Sequence, residues 1–170
     1  MEKPRTFENF PLWIILFSNF VSLLIYALGF IILLKPGWIF AVPYLVFILF
    51  FEIRLISKHC VNCYYYRKSC GFGKGRVSAL FFKKGDPMKF CMQDITWKNM
   101  IPDILISLIP LATGITLLIL KFDYMIFISL VLIIGLTTLG NGFVRGKLTC
   151  KYCKQKELGC PADKLFNKEN

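Results

Sequence analysis

The chemistry-bearing residues of this 170-residue chain are its seven cysteines, and six of them fall into two copies of one pattern. Cys60, Cys63 and Cys70 stand in CVNCYYYRKSC, and Cys150, Cys153 and Cys160 stand in CKYCKQKELGC, both of the form C-x2-C-x6-C. A C-x2-C pair is a chelating hook, because its two sulfurs reach one metal ion without closing a long loop. Two hooks complete a tetrahedral four-sulfur site, the geometry of zinc or of a single iron, and four thiolates also hold a four-iron cluster. The third cysteine of each copy leaves two arrangements that use all six. In one, six thiolates share two zinc ions. In the other, each copy gives three ligands to its own iron–sulfur cluster, with Cys91 or an exchangeable group on the fourth iron. His59, beside Cys60, is a further candidate ligand, although Thr149 occupies that place in the second copy.

The spacing, taken twice, is similar to that of the fungal two-zinc, six-cysteine DNA-binding cluster. The resemblance covers the two hooks alone, since 79 residues separate Cys70 from Cys150 where those domains have a short linker. Lys151 after the first cysteine of the second copy, and Arg67-Lys68 before Cys70, resemble that family's basic pattern. What the resemblance implies is shared metal chemistry; nucleic-acid binding is not expected. Cys160-Pro161 is similar to the Cys-Pro of bacterial ferredoxins.

The elements that must position the hooks are apolar and long. Hydrophobic residues make up 56% of the chain and its mean hydropathy is +0.59, which suits a bilayer rather than a water-soluble core. Four runs are almost free of charge: Leu12 to Leu34 (23 residues), Pro36 to Phe51 (16), Ile104 to Leu120 (17) and Tyr124 to Val144 (21). A helix of about 20 apolar residues crosses the hydrocarbon core. The expectation is an all-α integral membrane protein: a four-helix transmembrane bundle of two helix hairpins, capped by a cysteine-rich metal-binding region. Its segments are a lead-in over 1–10, hairpins over 11–55 and 99–145, a cysteine-rich loop over 56–98 and a cysteine-rich tail over 146–170.

Charge sets the expected orientation. Of 21 Lys and Arg, two precede the first run, ten lie from Arg54 to Lys98 and seven from Arg145 onward, leaving Lys35 and Lys121 in the two short turns. Basic loops stay cytoplasmic, so both termini and all seven cysteines are expected inside. Thiols are kept reduced there, which favours metal over disulfides.

Details along the helices carry lesser expectations. Ser18 and Ser22 share a face that should meet a neighbouring helix. Trp13, Trp38, Tyr44 and Tyr124 should anchor at the membrane interface; Tyr64, Tyr65 and Tyr66 within the first hook read as a further anchor or as a shield or electron relay for a cluster. Pro110 should kink its helix, and Gly142 and Gly146 offer a close helix contact. Val77 to Phe82 reads as a short hairpin or as a segment dipping toward anionic headgroups.

Absences narrow the function. One histidine excludes a bis-histidine haem within the chain, and no nucleophile–histidine–acid set is available. Gly71 to Gly75 lacks the G-x-x-x-x-G-K-[ST] of a phosphate loop. Mid-membrane charge, the mark of an ion path, is missing, and Glu52 and Asp103 read as interface residues. Two functions fit what remains. The first is an iron–sulfur electron-transfer or redox-sensing subunit of a membrane complex. The second is a zinc-stapled adaptor whose basic face recruits a cytoplasmic protein or membrane lipid. A thiol-disulfide or sulfur-transfer enzyme is a third. Expected partners are lipid and a protein, either in a membrane complex or as a homo-oligomer.

Overall fold

The structure, a computed structural model, describes residues 6–92 and 97–160, and the backbone alone of 97–100. Lys3, Arg5, Lys98, Pro161 and the basic residues beyond it, on which some of these expectations rest, lie outside the residues and side chains described.

Among the described residues six α-helices follow in chain order: α1 (Leu12–Leu34), α2 (Trp38–Lys58), α3 (Lys74–Phe81), α4 (Pro87–Cys91), α5 (Trp97–Leu120) and α6 (Tyr124–Gly135). Helix α6 runs on through wide π-type turns over Leu136–Gly140 and Phe143–Thr149, and the continuous helix reaches Tyr152. Among the described residues the fold is all-helical, with one isolated bridge pairing, Phe7 with Cys153, in place of any strand. Four of the helices are long and apolar enough to cross a membrane. Exposed leucine, isoleucine and phenylalanine cover their outer faces, as they do where lipid rather than water is the solvent.

The helices feeding the hooks are longer than the apolar runs suggest. Helix α2 continues to Lys58, one residue short of His59, and the last helix continues past Val144 to Thr149. Thr137 and Thr138 donate to the carbonyls of Ile133 and Ile134 at 2.7 and 2.6 Å, and Thr149 donates to that of Val144 at 3.0 Å. Hydroxyls that share these carbonyls, together with Gly140, Gly142 and Gly146, weaken the regular ladder and let its turns widen.

The chain forms two compact units. The helical unit comprises Phe20–Glu52 and residues up to Asn141 from the start of α5. One cluster in it joins Ile32 of α1 to Ile126, Leu130 and Ile133 of α6, and another joins Leu33 of α1 to Ala41, Tyr44 and Ile48 of α2. Leu111, Leu117 and Leu118 of α5 pack on the first and Ile109 on the second. Tyr44 is not the interfacial anchor its aromatic character suggests. It is buried, its hydroxyl donates to the Ile106 carbonyl at 2.9 Å, and it occupies the space left by Gly29, where a Cβ would sit 2.3 Å from that hydroxyl. Trp13, Trp38 and Tyr124 are exposed, as anchors are. Lys35, after α1, pairs with Asp123, before α6, at 2.8 Å, so the two short turns lie at one end of this unit.

The hook unit gathers residues 6–19, 53–92 and 142–160. It therefore holds the N-terminal segment, both cysteine copies, α3 and α4. Ser18 is buried in it. Gly142 and Gly146 make no close helix contact: a Cβ on either would meet nothing within 4 Å.

Candidate metal centre

The two cysteine copies fold alike. Each helix end passes through one residue in similar helical geometry, His59 (φ −105°, ψ −49°) or Thr149 (φ −106°, ψ −61°), into a single 3-10 turn, Cys60–Asn62 or Cys150–Tyr152. Each turn closes with the N–H of the second cysteine donating to the carbonyl of the first, at 3.3 Å for Cys63 and 3.2 Å for Cys153. The second cysteines are extended in both, at ψ 150° and 123°. The next turns also match, with Tyr66 N–H on the Cys63 carbonyl (3.0 Å) and Lys156 N–H on that of Cys153 (3.3 Å).

The copies then exchange hydrogen bonds. The Tyr64 N–H donates to Oε1 of Gln155 at 2.6 Å, and the Lys154 N–H donates to the Tyr65 hydroxyl oxygen at 3.0 Å. Tyr64 and Lys154 each follow a second cysteine by one residue, and Tyr65 and Gln155 follow by two. The contact is thus reciprocal, as a local two-fold requires. Both acceptor side chains are 1% exposed. The interfacial role expected of the tyrosine run fails at Tyr65, which sits in the core of this unit against Phe10 and Ile14.

Cys63, Cys70 and Cys153 pack against that same core, together with Tyr64, Tyr152 and Phe7. Backbone N–H groups of Tyr65 and Tyr64 reach the Cys63 sulfur, and that of Gln155 reaches the Cys153 sulfur. The Gly75 N–H lies 3.4 Å from the sulfur of Cys70. Such donors favour the thiolate, but burial outweighs them and pushes the Cys63 thiol up to about 11 and the Cys153 thiol to about 12. Cys63 and Cys153 lie within electrostatic reach of each other and of Cys160, with Cys70 near Cys63 and Cys150 near Cys153. As they stand, no three His, Cys, Asp or Glu side chains among the described residues are gathered tightly enough to hold a metal ion. What the structure brings together is a looser sulfur set drawn from both copies, with Cys60 leading into it.

The other two candidates are placed differently. Cys91 receives the Gln155 side-chain amide at 3.4 Å and donates to the Pro87 carbonyl at 3.4 Å, so it sits one residue removed from the exchange between the copies. The His59 ring stands edge-on to Phe90 at 6.4 Å, on α4.

Spacing alone did not reveal the N-terminal strap. The Phe7 N–H donates to the Tyr152 carbonyl (3.0 Å), the Tyr65 hydroxyl donates to the Phe7 carbonyl, and the Phe10 N–H donates to the Ser69 carbonyl (2.8 Å). Glu8 binds Lys154 of one copy and both Lys68 (2.9 Å) and the Tyr64 hydroxyl (2.6 Å) of the other. These partners, Lys154 foremost, hold the Glu8 carboxyl down at about 2. Gly75 is the second unforeseen requirement. A Cβ there would lie 2.1 Å from the Tyr65 carbonyl oxygen and 2.7 Å from that of Lys68, so only glycine lets α3 close on the first copy. Gln155 had a signal in the sequence, since superposing the copies sets it opposite Tyr65.

The class these features define is a protein whose described residues are all-helical, with four helices among them long and apolar enough to cross a membrane, and which bears a paired-cysteine unit. No known family, curated protein or solved structure matches the chain.

Proposed function

We propose that the two cysteine copies form one metal centre, and that the protein is a small integral membrane metalloprotein of the electron-transfer or redox-sensing kind. In this reading the spanning helices pack as a bundle of two hairpins, the hook unit caps it on the cytoplasmic side, and the ligands come from Cys60, Cys63, Cys70, Cys150, Cys153 and Cys160. The observation that carries it is the reciprocal exchange between Tyr64–Gln155 and Lys154–Tyr65, which ties the two hooks back to back with their second cysteines on a common core. N–H groups aimed at the sulfurs suit thiolates bound to a metal. Tyr64, Tyr65, Tyr152 and Phe7 pack together with the partly buried Cys63, Cys70 and Cys153, which suits a cluster that must exchange electrons without being hydrolysed. An iron–sulfur cluster is the cofactor this favours. Burial keeps Cys63 and Cys153 as thiols at neutral pH, which disfavours a thiol-disulfide enzyme, whose nucleophile needs a lowered value.

The interlocked backbone supports a second reading, a zinc staple in an adaptor that recruits a cytoplasmic protein. A rigid two-fold lock is what a structural zinc site completes. The deciding experiment is metal and sulfide analysis with an absorption spectrum on protein purified without oxygen. Iron with acid-labile sulfide and broad visible absorption establishes the redox centre. Colourless protein with stoichiometric zinc establishes the staple, and protein that takes up neither metal overturns both.

A further inference from the structure

Helix α3 is patterned inside out. Its buried positions are Gly75 and Ser78, the latter fully enclosed with its hydroxyl on the Gly75 carbonyl at 2.9 Å. Its outward positions are Arg76, Val77, Leu80 and Phe81, and Leu80 and Phe81 are 79% and 75% exposed. A helix facing water puts its large apolar residues inward. The reverse arrangement, small residues inward and large ones outward, belongs to helices whose surroundings are lipid. At eight residues α3 is far too short to span.

The residues that lead into α3 fix its depth. The Asn19 side chain donates to the Phe72 carbonyl at 3.1 Å, and a Cβ on Gly73 would touch Ile15 at 3.0 Å. Arg145, in the last spanning helix, lies 5.7 Å over the Phe72 ring. Asn19 is about 10 Å along α1 from its first residue. The start of α3 is therefore pinned beside two membrane-crossing helices, inside their length rather than beyond their ends. Exposed Lys83 and Lys84 follow its last turn.

We propose that α3 is an interfacial helix lying in the headgroup layer of the membrane the chain spans. Leu80 and Phe81 enter the acyl boundary, and Arg76, Lys83 and Lys84 engage the phosphates of anionic lipids. Exposed apolar residues flanked by cations match that layer on both counts. The assignment does not depend on the metal centre.

The test uses the full chain with Leu80→Trp in lipid nanodiscs, reading the emission added over that of the wild type, which keeps Trp13, Trp38 and Trp97. In a bilayer of phosphatidylcholine and phosphatidylglycerol with brominated acyl chains, most of the added emission is quenched, while aqueous iodide quenches little. Lys83→Glu/Lys84→Glu in the same background, or phosphatidylcholine alone, reverses that balance. Added emission open to iodide and untouched by bromolipid overturns the proposal. Emission protected from both overturns it too, because a protein surface or a second copy then covers the face. Quenching by bromolipid that is indifferent to phosphatidylglycerol overturns the role given to the cations. Phe81→Trp repeats the reading where Leu80→Trp disturbs folding.

Discussion

Tyr65 and Gln155 occupy the same place in the two cysteine copies, each two residues past the second cysteine, and each accepts a backbone N–H from the other copy. Neither can be lost cheaply, because either loss takes the oxygen acceptor away from a part-buried donor of the opposite copy. Tyr65→Phe and Gln155→Leu are each expected to destabilise the hook unit by about 1–3 kcal/mol. Loss of one opens the interface that the other seals, so the double variant should fall short of the sum. Chemical denaturation of the four proteins in detergent measures the coupling; strict additivity would show that the two bonds are independent and the lock is not cooperative.

A centre built from both copies fails when either opens. Cys63→Ser and Cys153→Ser should each strip the metal from the whole protein, whereas Cys91→Ser should keep it, because Cys91 serves Gln155 rather than the sulfur set. Metal content per chain decides this. A single variant that keeps half its metal would mean that each copy holds its own.

Metal affinity should rise with pH. Burial holds Cys63 and Cys153 at about 11 and 12, above the ordinary thiol value of 9.0, so at neutral pH each must give up a proton to ligate. Binding is opposed by protons throughout the range below those values, and acidification should release metal. Titration with a chelator at several pH values, with proton release counted, gives the number of thiols that ionise.

Acid should also loosen the strap. The Glu8 carboxyl is lowered from 4.5 to about 2, so its contribution is complete above 4.5 and disappears as pH falls through about 2. Limited proteolysis near Phe7 should accelerate across that window in the wild type. Glu8→Gln should show the faster cleavage already at neutral pH.

Glycines of one chain should differ sharply in tolerance. Gly75→Ala drives a methyl into two backbone carbonyls that cannot rotate away, at an expected cost of about 3 kcal/mol. Gly142→Ala and Gly146→Ala meet open space and should be neutral or mildly stabilising. Thermal melts followed by circular dichroism rank the three.

The membrane class and the two hooks were legible in the sequence because each rests on local quantities. Apolar length decides whether a helix can cross a bilayer, and Leu12–Leu34 emerges with the bounds its run implies. A C-x2-C pair makes the same tight turn wherever it occurs, so the likeness of Cys60–Cys63 and Cys150–Cys153 follows from their spacing. Helix ends were less legible, since Ile56 to Lys58 and Gly146 to Thr149 lie beyond the hairpin bounds of 55 and 145, yet continue helices already nucleated upstream. The fate of the aromatic residues was not legible. Tyr44 and Tyr65 look like interfacial anchors by type, and both are buried because a cavity and a hydrogen-bond partner await them, beside Gly29 and Ile106 for one and between Phe7 and Lys154 for the other. Glu8 lies 146 residues from Lys154, and Gln155 lies 91 residues from Tyr64. Contacts at that separation depend on where the chain returns, and only the tertiary structure fixes that.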